Sequence, residues 1–149
     1  YPDIQKEHLY VDAACMLLVK NPENFDTVVT TNLFGDIITD LGAELVGGIG
    51  IAASANMHPG KVSMFEPIHG SAPNIKGKNI ANPFAMILAV QMMLDYLKLE
   101  KPAQMIEQAI INIIRSKTVP VLSIYSGFTT NQLGDLVCHE IKKISGKLL

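Results

Sequence analysis

Apolar positions recur along the chain at helical spacing in five places. Leu9 to Lys20 is predicted as a helix, closed by Asn21-Pro22 because proline disfavours the α conformation in the residue before it. Its apolar residues surround the axis, so the pattern predicts a buried helix in which Asp12 is the one internal charge. Phe25 to Thr31 is β-branched and predicts a short strand, after which a helix begins. Leu33, Ile37, Leu41 and Phe34, Ile38, Leu45 form apolar rows along that helix, which fades in Val46-Gly47-Gly48-Ile49-Gly50. Ile51 to Asn56 is mostly small residues, Met57 to Gly60 is a turn, and Val62 to Phe65 predicts a second short strand. A long loop spans Glu66 to Pro83. Asn82 is the expected cap and Pro83 the first turn of a helix from Phe84 to Leu99. Met86, Met92 and Met93 on that helix read as core filler. Ala103 to Lys117 predicts a fourth helix with Ile106, Ile110, Ile113 and Ile114 on one face. Val119 to Phe128 is irregular. Thr129 and Gln132 form a capping-box pattern for a last helix to about Ile144, with Leu133, Leu136, Val137 and Ile141 inward.

Chemistry gathers in the first half. Asp36 and Asp40 lie one turn apart on one helix face, where like charges cost roughly 0.2–0.5 kcal/mol. Either they form a solvated acidic face or they share a cation, and carboxylate oxygens suit Mg²⁺ or Mn²⁺. A buried Asp12 requires a partner. Lysine, arginine or a helix end would be the ordinary one, and a metal the functional one. His8, four residues before Asp12, carries no assigned role. The loop from Glu66 to Pro83 has no periodicity of its own, and its isoleucine, alanine and proline content argues against disorder. Its His69-Gly70-Ser71-Ala72-Pro73 segment offers an imidazole, small side chains and open backbone N–H groups, which suits a nucleotide or an Ω-loop alike. It is neither a GxGxxG fingerprint nor a Walker loop.

Composition narrows the field. The 149 residues are 48% hydrophobic and 17% charged with a net charge of −2. That composition predicts a soluble globular protein with no basic patch for nucleic acid, and the order of helices and strands predicts an α/β fold rich in helix. No apolar run is long enough for a membrane span. Cys15 and Cys138 read as reduced core thiols of an intracellular, cytoplasmic protein, although two cysteines also permit one disulfide. A chain that opens Tyr1-Pro2-Asp3, without an initiator methionine, reads as a piece of something longer.

Three stretches taken together resemble one family. They are His8-Leu9-Tyr10-Val11-Asp12-Ala13, Asn32-Leu33-Phe34-Gly35-Asp36-Ile37-Ile38-Thr39-Asp40, and Phe65 to Pro73 with Ile80-Ala81-Asn82-Pro83. The chain is similar to the C-terminal portion, under half, of the metal-dependent β-decarboxylating dehydrogenases that act on isopropylmalate, isocitrate, homoisocitrate, and tartrate or D-malate. The resemblance implies a two-domain isopropylmalate dehydrogenase-like fold, with 1–46 in the dimer-forming domain and 47–149 in the nucleotide-binding domain. It implies that Asp12, Asp36 and Asp40 bind Mg²⁺ or Mn²⁺, Asp12 reaching the pair on the other subunit of a homodimer or larger homo-oligomer and being the catalytic residue of this piece. Glu66 would lie beside the nicotinamide. His69, Gly70, Ser71, Ala72, Pro73, Asn74, Ile75 and Asn82 would hold adenosine.

The implied reaction moves hydride from a 2-hydroxy carbon to NAD and releases the β-carboxylate as CO₂. Its substrate would be a hydroxy-dicarboxylate or tricarboxylate. Isopropylmalate, the substrate of leucine biosynthesis, ranks first, then isocitrate or homoisocitrate, then tartrate or D-malate. Asn74 departs from the family, whose NAD users usually carry Asp there, while Asn74-Ile75 also lacks the Lys-Tyr of NADP users. The substrate-binding arginines and the catalytic tyrosine and lysine of the family lie upstream of Tyr1, so this piece alone is expected to be inactive and to need the N-terminal part of its subunit. Alone it is also expected to associate through exposed sheet edges. A non-catalytic regulatory subunit of a hetero-oligomeric isocitrate dehydrogenase is the alternative of another class, and the intact aspartates and loop argue against it.

Overall fold

A computed structural model describes residues 1–146. The chain divides into two compact units, Tyr1–Leu45 and Val46–Leu149. The first holds helix α1 (Val11–Lys20), a 3-10 turn (Pro22–Asn24) and helix α2 (Asn32–Leu45), the two helices packed on each other. The second holds strands β1 (Ala53–Asn56) and β2 (Met64–Pro67), a 3-10 turn (Pro73–Ile75), and helices α3 (Phe84–Tyr96), α4 (Glu100–Arg115) and α5 (Thr130–Ser145). It is an α/β fold, rich in helix.

The first unit departs most from the pattern of the sequence. Ala14 and Ala43 are its buried residues. Helix α1 starts at Val11, because Tyr10 is extended, and it is not enclosed on all sides: Met16 and Val19 are more than half exposed. Asp12 is likewise exposed rather than buried. Helix α2 covers only one side of α1, so the remaining apolar rows have nothing within the unit to pack on. Phe25 to Thr31 forms no strand. A strand exists through hydrogen bonds to a neighbour, and among the described residues none pairs with this stretch, which leaves Val29 94% exposed.

The second unit has a continuous core. Strands β1 and β2 are antiparallel, with Ala53 opposite Pro67 and Ser54 opposite Glu66. The sequence pattern placed the second strand at 62–65 and none at 53–56. Pairing shifts it to 64–67, where Ala53 and Ser54 are small enough for α3 to lie across both strands. Helix α3 packs on α4, and α4 on α5. Phe84, Ala109, Ile110, Ile113, Val119, Leu133 and Val137 form the core with Ile51. Helix α3 ends at Tyr96, three residues short of the expected end, since Lys98 adopts a left-handed conformation (φ 62°). Helix α4 begins at Glu100, which puts Pro102 in its first turn, where its missing N–H costs nothing. Two core assignments fail. Met86 is half exposed, and Cys138 faces out from α5. Both cysteines are free. Among the described residues no helix is long and apolar enough to cross a membrane.

Candidate functional site

Two groups of predicted site residues stand in different units, and each is taken within its own. In the first unit α2 opens at Asn32, and the Gly35 N–H donates to the Thr31 carbonyl at 2.8 Å. A side chain at Gly35 would meet Thr30 Cγ2 at 3.3 Å, so glycine lets Thr30 fold over the helix start. The Thr39 hydroxyl donates back along the helix to the Gly35 carbonyl (2.9 Å) and to the Asp36 carbonyl (3.2 Å). Asp36 accepts from Asn32 Nδ2 at 3.3 Å, and Asp36 and Asp40 both face solvent from one side of the helix. Asp12 Oδ1 accepts the Ala13 N–H at 2.8 Å, so a helix N-terminus is its partner.

The donor set at Asp36 and Asp40 is hard, anionic and acceptor-only, which fits Mg²⁺ or Mn²⁺. Among the described residues, however, no three His, Cys, Asp or Glu side chains come together to hold a metal. The chain therefore brings Asp36 and Asp40 to one face and leaves Asp12 apart from them. Mg²⁺ takes six oxygen ligands, so two carboxylates could supply only part of such a shell.

In the second unit Glu66 lies in β2, exposed, opposite Ser54. The Ile68 N–H donates to Ala52 O (3.1 Å), and after it the chain leaves the sheet. His69 is half-buried, with Nδ1 3.0 Å from the Gly70 carbonyl. Ala72 is left-handed (φ 44°), which reverses the backbone into the 3-10 turn of Pro73, Asn74 and Ile75. Gly70 to Asn74 are exposed, and a Cβ at Gly70 would meet nothing within 4 Å. The loop presents uncovered backbone, as a nucleotide would need. Asn82 behaves differently. It is 7% exposed, its Oδ1 accepts the Phe84 N–H at 2.9 Å and its Nδ2 donates to Leu122 O at 2.8 Å. It does cap α3, and its amide serves the fold first.

Two open grooves lie away from all these residues. One of about 550 Å³ runs between α4 and α5 past Arg115, His139 and Glu140. A hydrogen bond from Lys143 holds the Glu140 carboxyl below the usual carboxylate range. The other, about 510 Å³, passes Ile87, Asp135 and Cys138. Asp12, Asp36, Asp40, Glu66 and Gly70 to Asn74 are exposed and line neither groove.

Asn79 and Thr130 belong to no motif of the sequence. Asn79 has φ 55°, a conformation asparagine tolerates better than most residues, and that residue type at a loop end was the one available signal.

The family profile described as isocitrate/isopropylmalate dehydrogenase matches residues 1–137. The chain is 48% identical to 3-isopropylmalate dehydrogenase of Thermobifida fusca, an alignment covering 95% of this chain and 39% of that protein. It is 44% identical to the mitochondrial NAD isocitrate dehydrogenase catalytic subunit 5 of Arabidopsis thaliana, over 95% of this chain and 38% of the other. The crystal structure of isocitrate dehydrogenase from Methylococcus capsulatus superposes with a TM-score of 0.86 at 42% identity, covering 95% of this chain and 42% of that one. The chain thus spans about two fifths of the length of the curated relatives it matches.

Proposed function

The chain belongs to the isocitrate/isopropylmalate dehydrogenase family, and on that premise we propose that it is the C-terminal part of an NAD-linked, metal-dependent enzyme that oxidatively decarboxylates a 2-hydroxy acid bearing a β-carboxylate, 3-isopropylmalate first. The observation that carries the reading is the 48% identity to a 3-isopropylmalate dehydrogenase along 95% of the chain. The 44% identity to an isocitrate dehydrogenase makes isocitrate the second substrate to test. A cytoplasmic homodimer or larger homo-oligomer goes with the reading.

The roles follow from the residues. Asp36 and Asp40 would hold one side of Mg²⁺ or Mn²⁺, and Asp12 of a second copy would approach from the other. The ion supplies Lewis-acid polarisation of the substrate's oxygens. The exposed acids of α2 would hold the ion from a rigid helix, which fixes its position better than a loop would. Glu66, from a strand paired along its length, would orient the nicotinamide end of the cofactor. The exposed backbone of Gly70 to Asn74 would take the adenosine end. The N–H groups there meet a ligand without a side chain in the way.

NADH formation by the full-length protein with Mn²⁺ tests this, run against isopropylmalate, isocitrate, homoisocitrate, D-malate and tartrate. Turnover of one of them, abolished by chelator, is the expected result. Absence of turnover with all five, in a protein shown to be folded and with NADP also supplied, overturns the reading in favour of a regulatory subunit.

A further inference from the structure

The loop that carries the exposed backbone is secured in an unequal way. Residues 69–78 hydrogen-bond only among themselves among the described residues: Ile75 N to Ala72 O (3.0 Å), Lys76 N to Pro73 O (3.3 Å), Lys78 N to Ile75 O (3.1 Å), and His69 with Gly70. Among the described residues, the hydrogen bonds that join these ten residues to the rest of the chain therefore lie at the two places where the loop is held. At the front, Ile68 continues out of the sheet through its bond to Ala52. At the back, Asn79 and Ala81 are tied to the first residues of α5.

That second fastening satisfies the helix end as completely as the loop. A helix start leaves its first N–H groups without intrahelical acceptors. Here the Thr130 N–H donates to the Asn79 carbonyl (2.9 Å) and the Asn131 N–H to Asn79 Oδ1 (3.3 Å). Gln132 N–H goes to Thr129 Oγ1 (3.2 Å) in the capping box. The Thr130 hydroxyl then donates to Ala81 O at 2.6 Å, one residue before the buried Asn82. Asn79 can offer both its carbonyl and its side-chain oxygen to successive N–H groups because its backbone is left-handed.

We infer that Asn79 and Thr130 are positioning residues for dinucleotide binding: they clamp the rear of the 69–82 loop to the start of α5 and so set where its open backbone stands. The inference rests on the reading of that loop as the adenosine site. Neither residue touches the cofactor. Their effect on it passes through the carbonyls of Asn79 and Ala81 and the segment those carbonyls hold.

The test uses the full-length protein and three variants. Gly70→Val comes first, because a Cβ there meets no protein atom within 4 Å. It is expected to raise the KM for NAD at least tenfold while the melting temperature holds. An unchanged KM for NAD removes the loop from the binding site, and the clamp with it. Thr130→Val then deletes the hydroxyl at nearly constant shape, and Thr130→Ser restores it. With Gly70→Val behaving as expected, Thr130→Val should raise the KM for NAD about tenfold, the scale of one misplaced hydrogen bond. The hydroxy-acid KM should stay within twofold, and Thr130→Ser should recover most of the NAD affinity. Equal changes in both KM values, or a melting temperature that falls without a selective change for NAD, would mean that Thr130 only stabilises the fold, and the clamp would be withdrawn.

Discussion

Asn82 and Leu122, forty positions apart, are joined by one hydrogen bond of 2.8 Å from the asparagine Nδ2 to the leucine carbonyl. The same side chain caps Phe84, the one large aromatic that is fully buried. A single buried amide thus joins the end of the candidate binding loop, the start of α3 and the irregular segment after α4. Gly50 belongs to the same junction: its carbonyl accepts the Ala85 N–H at 3.0 Å, and a Cβ on it would touch Asn82 and the Leu122 carbonyl at 3.4 Å.

Asn82→Ala leaves the Phe84 N–H and the Leu122 carbonyl without their partner. A buried polar group left unsatisfied costs about 1–3 kcal/mol. Urea unfolding of the full-length protein should show a loss in that range.

Asp36→Asn and Asp40→Asn act on exposed carboxylates, so neither should lower the melting temperature. Removing one of two like charges one turn apart relieves about 0.2–0.5 kcal/mol of repulsion. Metal-dependent turnover should nonetheless disappear in both, and added Mn²⁺ should no longer raise the melting temperature. An Asp36→Asn enzyme with unchanged metal dependence would refute the site.

Phe84→Ala empties the centre of the core in the second unit, where Phe84 is 0% exposed. Substitutions of this kind cost about 3–5 kcal/mol. Chemical denaturation should read that loss directly, together with a lower yield of folded protein.

Asn74→Asp adds a negative charge on the exposed turn where adenosine is proposed to lie. It should favour NAD over NADP by repelling the 2′-phosphate. A change of about tenfold in the ratio of kcat/KM for the two cofactors corresponds to roughly 1.4 kcal/mol, within reach of one charge at close range.

The helices were legible in the sequence where local signals carry them. Thr129 and Gln132 both make the capping-box bonds that their spacing predicts, at 3.2 and 2.8 Å. Leu133 and Val137 are buried on the face where the 3.6-residue period puts them. Asp36 and Asp40 share a face because a helix leaves them no other arrangement. Each of these depends on residues within four positions of one another.

What the sequence could not determine depends on segments far apart in the chain. Phe25 to Thr31 has the composition of a strand but no strand beside it, so composition alone does not make it one. Asp12 lies in an apolar pattern, yet too little of the unit packs around it to bury it. Asn79 looked like an ordinary loop residue until tertiary structure brought Thr130 and Asn131 to it, fifty-one and fifty-two positions on. Sequence by itself determined the helices, their caps and the types of residue that could do chemistry, because those follow from neighbours a few bonds away. Tertiary structure alone decided which faces are covered, where the strands pair and what holds the loop, because hydrogen bonds and burial between distant segments exist only once the chain has brought them together.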